Sequence, residues 1–275
     1  MAQDIDRKLP ELSFPLFVPG DRPERFAKAQ NAGSDTVVID LEDAVAPDNK
    51  VAARDGLRDT LRAHAGVQTV LRINGAGTQW HEGDLAAAAA LDIDAVMLPK
   101  AESPEELAAT RAKIGAGRGV LAIIESGAGL ANLRQIAPAA DRLAFGSIDY
   151  CADVGMAHTR RALLSARSEV VLAARLANQI RPLDGVSTEI HDAEQIKSDA
   201  MHSQEMGFAG KLLIHPAQIT PAKQGFAPTD ADLTWAHGVL QASSDSGAAT
   251  YQGQMVDAPV LARARAILQL QKDLT

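Results

Sequence analysis

The sequence predicts an α/β fold, a (β/α)8 barrel of the TIM type with a C-terminal helical extension. Eight short apolar runs alternate with longer helix-like stretches along 275 residues, which is close to the usual size of such a barrel. The runs are continuously apolar, as in TVVIDL, VLAII and KLLI, which is typical of parallel strands covered on both faces. An open doubly wound sheet is the alternative. No G-x-G-x-x-G motif follows the first run, which argues against a dinucleotide-binding version of that sheet.

The eight predicted strands begin 22 to 40 residues apart, a spacing that fits βα units. They are Phe14–Val18, Thr36–Leu41, Thr69–Ile73, Ala95–Leu98, Val120–Ile124, Leu143–Ile148, Leu183–Ser187 and Leu212–Ile214. The clearest predicted helix is SPEELAATRAKIG, in which Ser103 is the N-cap, Pro104 follows it and Glu106 completes a capping box. Further barrel helices are predicted after Pro23, over Lys50–Ala65, around Asp84–Leu91, and over Leu130–Ile136, Ala162–Gln179 and Ala193–Met206.

The chain is expected to form one structural domain in two parts. Residues 1–220 make the predicted barrel, and residues 221–275 make an extension that packs on the barrel or on a neighbouring subunit. The extension has predicted helices near Asp230–Ala242 and Val260–Lys272, joined by a glycine-bearing loop.

Composition excludes several classes of protein. The 27 basic and 35 acidic residues give a net charge of −8, and only 4% of residues are aromatic, so nucleic acid is not an expected partner. The single cysteine, Cys151, excludes intrachain disulfides and cysteine zinc sites and is expected to be structural. No run of about 18 apolar residues predicts a membrane span, and MAQDIDRKLPELS lacks the apolar core of a signal peptide, so we expect a cytoplasmic protein.

Charged or polar side chains follow nearly every predicted strand, where the active site of such a barrel lies. They are Asp40, Glu42, Asp43, Arg72, Asn74, Lys100, Glu125, Asp149, Glu189 and His215. A single acid at a strand end is more often a helix cap or a surface carboxylate. The whole set, however, exceeds what barrel closure requires.

Glu125 and Asp149 follow neighbouring predicted strands at equivalent positions, so their carboxylates can converge. Two carboxylates with water and a ligand oxygen form a site for a hard cation, typically Mg²⁺. Without a cation one of the two would take up a proton, which leaves an acid/base pair as the alternative.

Arg72 can bind a substrate carboxylate through two parallel hydrogen bonds, since arginine binds planar anions in bidentate fashion. The alternative is a salt bridge to the acids that follow the second strand. His215 is expected to form a local hydrogen bond more readily than to act in catalysis. The arginines Arg160, Arg161 and Arg167 fit a solvated helix face better than a phosphate site.

Eight ordered blocks between Leu16 and Asp257 carry a resemblance to a known family. They are LFVPGDRPERFAKA, DTVVIDLEDAVAPDNKVAAR, LRINGAGTQWHEGDL, VMLPKAES, LAIIESGAGLANLRQIA, LAFGSIDYCADVG, GFAGKLLIHPAQI and GQMVDAP. Together they closely resemble the citrate lyase β-subunit-like group of CoA-ester lyases, in the HpcH/HpaI aldolase superfamily.

The resemblance implies a barrel that depends on Mg²⁺ and reversibly cleaves a 3-hydroxyacyl-CoA. Citryl-, malyl- or citramalyl-CoA would yield acetyl-CoA and a 2-oxoacid, namely oxaloacetate, glyoxylate or pyruvate. It also implies a homotrimer in which the C-terminal segment reaches a neighbouring subunit.

The same resemblance assigns roles to residues of this chain. Glu125 and Asp149 would hold the metal, and Glu125 would also border the substrate. Arg72 would bind the oxoacid. Backbone amides of Gly146, Ser147 and Ile148 would help to hold its carboxylate, and Asp257 would act as acid/base.

The chain departs from the family at one point, and other functions stay open. Relatives often have Arg-Ser where this chain has Ser13-Phe14, so a cation that could support the site is missing. The alternatives are a metal-dependent aldolase acting on free hydroxy-oxoacids, a citrate lyase β subunit that needs acyl-carrier and α-subunit partners, and a non-catalytic scaffold.

Overall fold

Six parallel strands form the continuous part of the sheet. The computed structural model describes residues 9–11, 13–62, 64–243 and 250–274. The strands are β1 (Leu16–Pro19), β2 (Thr36–Asp40), β3 (Gln68–Arg72), β4 (Ala95–Leu98), β5 (Gly119–Ile124) and β6 (Arg142–Phe145). Each strand pairs in parallel with the next, so their carboxyl ends lie at one end of the sheet.

The predicted seventh and eighth strands occupy their barrel positions without forming regular strands. Leu183 pairs with Ala144 of β6, Asp184 pairs with Lys211, and Leu213 pairs with Leu16 of β1, each through a single bridge. These bridges connect β6 back to β1 and close the barrel. The strand prediction was therefore wrong in extent. Pro182 has no N–H to donate, and Gly210 has a φ of 140°, so neither segment continues a ladder.

Helices follow the strands in the predicted order, with one further helix directly after β6 that the sequence did not predict. The barrel helices are α1 (Phe26–Gln30), α2 (Lys50–Thr60), α3 (His81–Ala90), α4 (Pro104–Ile114), α5 (Gly127–Ala131), α6 (Leu133–Ile136), α7 (Ser147–Val154), α8 (Leu164–Leu176) and α9 (Ala193–Glu205). The predicted capping box of α4 is present, with Ser103 and Glu106 bonded to each other's backbone N–H.

The C-terminal part is helical. It contains α10 (Ile219–Phe226), α11 (Asp230–Ser243) and α12 (Ala258–Leu274), with a short hairpin of β7 (Thr250–Tyr251) and β8 (Gln254–Met255) before α12. A small apolar cluster joins α11 to α12, and Arg263 stacks over Trp235 with 4.7 Å to the ring centroid. Residues 244–249 of the predicted loop lie outside the described residues. Within the described ranges, no helix combines the length and apolar character needed to cross a bilayer.

Both faces of the strands are buried, which explains their continuous apolar sequence. On β2, Val38 packs with Val70 and Leu121 in one cluster, whereas Val37 and Ile39 pack with helix residues in another. Alternate residues of each strand thus fill the barrel interior and the layer beneath the helices. This packing fixes the strand ends from which the polar side chains project.

Candidate active site

A cavity of about 360 Å³ opens where the strands end. It is lined by Phe17, Pro19, Asp40, Asp43, Ala44, Arg72, Ile123, Glu125, Phe145, Gly146, Ser147, Ile148, Asp149, Gly185, Val186, Leu212 and Ile214. The structure therefore brings together eight residues that the sequence predicts for the site: Asp40, Asp43, Arg72, Glu125, Gly146, Ser147, Ile148 and Asp149. The lining residues come from β1, β2, β3, β5 and β6, from the segments that follow β2, β5 and β6, and from the seventh and eighth strand positions, as expected for a barrel active site.

Arg72 lies on the cavity wall between acids and an aromatic ring. Its Nε and Nη2 donate to the two carboxylate oxygens of Asp40 at 2.8 and 2.5 Å. Its Nη1 lies 2.9 Å from Glu42 Oε2 and 3.4 Å from Asp43 Oδ2, and the guanidinium stacks over Phe17. Burial alone would lower the pKa of Arg72, but these acids raise it, so the side chain stays charged. The salt bridges considered as an alternative are thus present.

Glu42 connects Arg72 to Lys100. Lys100 Nζ donates to Glu42 Oε1 at 2.8 Å, and the Lys100 backbone N–H donates to Glu125 Oε1, also at 2.8 Å. Lys100 has a φ of 49°, a left-handed conformation that is uncommon for a lysine. This conformation lets one residue contact two acids that follow different strands.

Glu125 is a buried carboxyl group among other acids. Burial, with added repulsion from Glu42 and Asp149, raises the pKa of Glu125 to about 8, although Lys100 opposes the shift. A Cβ atom on Gly146 would collide with Glu125 Oε2, so glycine is the residue that allows the chain after β6 to pass this carboxylate.

Asp149 lies in the first turn of α7, four residues after β6 ends. The prediction that the sixth strand continues to Ile148 was wrong, because the chain turns at Gly146 and begins the helix at Ser147. The Asp149 carboxylate nevertheless lines the cavity and contributes to the raised pKa of Glu125.

The donor set fits a hard cation. Five carboxylates lie at the site, those of Asp40, Glu42, Asp43, Glu125 and Asp149. Only two cations, Arg72 and Lys100, contact members of this group, so negative charge is in excess. Glu42 Oε2 is buried and accepts no well-aligned hydrogen bond from the described residues. A divalent cation would offset this excess of negative charge and would hold Glu125 in its ionised form. Among the described residues, no group of three or more His, Cys, Asp or Glu forms a ready metal site, so water or ligand oxygens would complete the coordination.

Other strand-end residues have local structural roles. The Glu189 carboxylate accepts the N–H groups of three following residues, and His215 Nδ1 accepts the N–H of Ala217. Asn74 donates to Leu41 O and to the Asp84 carboxylate beneath the site. Cys151 is buried within α7.

Asp257 does not line the cavity of its own chain. It is exposed, and its carboxylate accepts the N–H of Val260 at 3.0 Å, so it begins α12 as a cap. Ser13, which replaces the family's arginine, donates to Asp35 and bridges to Gly210 before β1 begins. The departure therefore lies at the amino ends of the strands, opposite the cavity.

One polar contact of the site has no counterpart among the sequence predictions. Ser147 Oγ lies 3.0 Å from His158 Nε2, although His158 belongs to the irregular segment between α7 and α8. Ser147 and His158 are eleven positions apart, and α7 ends between them. Neither helical nor strand periodicity predicts a contact between two such residues. The only signal in the sequence is a histidine shortly after the GSIDY block.

Comparisons with known proteins agree with this geometry. The family model described as HpcH/HpaI aldolase/citrate lyase matches residues 13–216. A citrate lyase subunit beta-like protein of Mycobacterium tuberculosis is 39% identical over 270 residues, which cover 94% of this chain and 96% of that protein. A (3S)-malyl-CoA thioesterase of Cereibacter sphaeroides is 33% identical over 253 residues, which cover 88% of each chain.

A solved structure shares the fold. The crystal structure of CitE from Mycobacterium tuberculosis in complex with magnesium, acetoacetate and coenzyme A superposes with a TM-score of 0.85 at 38% identity. The match covers 94% of this chain and 98% of that one. The predicted barrel fold is confirmed by this likeness, and the chain belongs to the HpcH/HpaI aldolase/citrate lyase family.

Proposed function

We propose that this protein is a Mg²⁺-dependent carbon–carbon lyase that cleaves a 3-hydroxyacyl-CoA into acetyl-CoA and a 2-oxoacid. One observation carries the proposal: the Arg72 guanidinium, the Glu125 and Asp149 carboxylates and the start of α7 all border one cavity at the strand ends. The CitE structure with magnesium, acetoacetate and coenzyme A supports the same combination of ligand classes. The cavity volume is within the range of about 300 to 1,000 Å³ that is usual for small-ligand sites.

Glu125 and Asp149 would hold the Mg²⁺ ion. When bound, the ion would supply Lewis-acid polarisation of the substrate oxygen that becomes the oxoacid carbonyl. Arg72, kept charged by Asp40, would bind the substrate carboxylate and fix the reacting carbons in one orientation. The first N–H groups of α7 have no partner within the helix and would donate to the same carboxylate.

Cleavage requires two proton movements. A base removes the substrate hydroxyl proton, the carbon–carbon bond breaks, and the electron pair of that bond passes to the acyl-CoA as an enolate. The α-carbon of that enolate then takes up a proton, and we assign this step to Asp257 as general acid. Because Asp257 does not line the cavity of its own chain, we place it in the cavity of a neighbouring subunit of a homotrimer.

The proposal is tested by incubating the purified protein with Mg²⁺ and citryl-, malyl- or citramalyl-CoA in separate reactions. Mass spectrometry should detect acetyl-CoA from one of them, which also identifies the oxoacid. Glu125→Gln should lose Mg²⁺-dependent turnover, and Glu105→Gln, at an exposed glutamate of α4, is the matched control.

The same experiment separates the alternatives. Turnover of a free hydroxy-oxoacid without CoA would replace the proposed reaction with an aldolase reaction. Turnover only after an acyl-carrier protein is added would make the chain a lyase subunit. If no thioester is cleaved and no oxoacid binds with Mg²⁺, the proposal fails. A cytoplasmic location and the lack of a nucleic-acid partner stay predictions.

A further inference from the structure

The Ser147–His158 hydrogen bond lies at a cavity wall where the proposed lyase reaction does not yet use it. Ser147 is the first residue of α7, is only 1% exposed, and lines the cavity. Its Oγ is 3.0 Å from His158 Nε2. His158 itself is exposed, so the pair connects a surface imidazole to a buried hydroxyl in the cavity wall.

The surroundings of Ser147 restrict its hydroxyl. A Cβ atom on Gly185 would lie 2.5 Å from Ser147 Oγ and 2.7 Å from Phe145 O, so the chain at Gly185 packs closely against the serine. The Gly185 N–H donates to Asp184 Oδ1 at 2.8 Å, and its carbonyl accepts Lys211 Nζ at 2.5 Å. Both ends of this glycine are thus fixed by buried charged side chains, and the serine faces a rigid wall.

Two cations and two acids lie near His158. Partial burial of the ring and the nearby Arg167 and Lys211 lower the pKa of His158, while the weaker effects of Asp184 and Asp199 oppose the shift. The imidazole is therefore neutral at pH 7, with one nitrogen that donates and one that accepts.

A neutral imidazole and a hydroxyl can share one hydrogen bond in two directions. When Ser147 donates to His158, the serine oxygen has only lone pairs left for any other partner, and lone pairs repel a carboxylate. When His158 Nε2 donates to Ser147 Oγ, the serine proton is free to point at a ligand. An anionic ligand beside the start of α7 selects the second arrangement.

We propose that His158 is a positioning residue: it donates from Nε2 to Ser147 Oγ, so that the Ser147 hydroxyl donates to the oxoacid carboxylate. This inference rests on the proposed function, because it assumes that an oxoacid carboxylate occupies the cavity. Ser147 thereby adds a neutral donor to the cavity that Arg72 also lines. His158 touches no substrate atom and acts only through the serine.

The test is binding of pyruvate to the full-length protein by calorimetry at saturating Mg²⁺, together with lyase kinetics. Ser147→Ala should weaken pyruvate binding about tenfold, the usual effect of losing one hydrogen bond to a charged group. His158→Ala should weaken binding about fivefold and raise KM with kcat nearly unchanged. The variant removes a contact that holds the substrate carboxylate equally in the ground state and in the transition state. His158→Gln should restore most of the affinity, since glutamine Nε2 can occupy the place of the imidazole Nε2.

A double variant makes the test specific. In the Ser147→Ala background, His158→Ala should cause no further loss, because the two residues act as one unit. His64→Gln, at a histidine before β3 and far from the carboxyl ends of the strands, is the matched control and should bind like the wild type. Each variant is used only if its thermal unfolding midpoint and its Mg²⁺ affinity match those of the wild type.

Other outcomes overturn the inference. If His158→Ala binds pyruvate as tightly as the wild type, if glutamine restores nothing, or if the two alanine effects multiply, His158 does not position Ser147. In these cases the wild type still binds pyruvate with Mg²⁺, and the proposed function stands. If the wild type binds no oxoacid with Mg²⁺, both the function and this inference fail.

Discussion

Asp40 and Arg72 are paired residues of neighbouring strands, and the Asp40 carboxylate accepts two hydrogen bonds from the guanidinium. The same carboxylate accepts the backbone N–H groups of Glu42 and Ala44, which belong to the loop after β2. One buried acid therefore fixes both the head of Arg72 and the loop that borders the cavity. This arrangement explains how Arg72 can keep one orientation before a substrate binds.

Asp40→Asn should disturb both functions of this acid. The variant loses a charged partner of a buried arginine, so we expect a loss of about 3 kcal/mol in the free energy of unfolding. The value of kcat/KM should fall about 100-fold, since a displaced guanidinium misplaces the substrate. Asp43→Asn is the control for stability, because Asp43 is exposed and 3.4 Å from Nη1; it should change the free energy of unfolding by less than about 1 kcal/mol. Urea unfolding and steady-state kinetics give both values, and an unaltered kcat/KM in Asp40→Asn would contradict the role.

Gly146→Ala tests the packing beside Glu125. A Cβ atom at this position would collide with Glu125 Oε2, so the carboxylate must move. We expect at least about tenfold weaker Mg²⁺ binding and a loss of about 1 to 3 kcal/mol in the free energy of unfolding. Gly56→Ala is the matched control: it lies in α2, its Cβ would meet nothing within 4 Å, and alanine favours the helix. Calorimetry measures the Mg²⁺ affinity, and equal values for Gly146→Ala and the wild type would contradict the assignment of Glu125 as a metal ligand.

Much of this site follows from the residues at the strand ends. Parallel strands bring their carboxyl ends together, so the sequence alone places Arg72, Glu125 and the acids after β2 on one side of the barrel. The position of Asp149 depends on where β6 ends, and the apolar run through Ile148 conceals a helix that starts directly after Gly146. Periodicity alone cannot fix an element boundary within a residue or two.

Two features could not be predicted from the sequence. The Ser147–His158 contact depends on the path of an irregular segment, which no repeating pattern describes. The seventh and eighth strands have apolar runs, yet each pairs through isolated bridges, because Pro182 and Gly210 lie just before these runs. Buried charges hold this part of the barrel in place of a regular ladder.

Asp184 is the centre of a buried ionic cluster between the barrel and the helices. Its carboxylate accepts Arg167 Nε and Ser203 Oγ, and Lys211 Nζ lies 3.8 Å away. Burial alone would raise the pKa of Asp184, but Lys211 and Arg167, together with hydrogen bonds from Ser203 and the Gly185 N–H, outweigh burial and lower it below its ordinary value. Because the folded-state pKa is lower than the unfolded one, the ionised acid stabilises the folded protein above about pH 4. That stabilisation is lost as the pH falls toward the folded-state pKa.

Asp184→Asn should therefore show a pH-dependent loss of stability. At pH 7 the variant should lose about 3 to 5 kcal/mol in the free energy of unfolding, since two buried cations remain without their acid. The difference from the wild type should shrink as the pH falls below about 4. Asp48→Asn, at an exposed aspartate, should show no such trend. Urea unfolding at several pH values measures the differences, and a gap that stays constant down to about pH 3 would contradict the cluster's role.

The exposed position of Asp257 gives the sharpest test of a shared active site. Glu125→Gln and Asp257→Ala should each be inactive alone, one for lack of the metal ligand and the other for lack of the acid. In mixed oligomers formed by co-expression, a cavity from an Asp257→Ala subunit can receive Asp257 from a Glu125→Gln neighbour. Random assembly of a ring in which each subunit serves the next gives about a quarter of the sites both intact residues, and so about a quarter of the wild-type turnover. If Asp257 served the cavity of its own chain, no mixed site would be complete and turnover would stay at the level of the single variants. In purified mixed trimers carrying two different affinity tags, one site in three is complete, so their turnover should be about a third of the wild-type value rather than the level of the single variants.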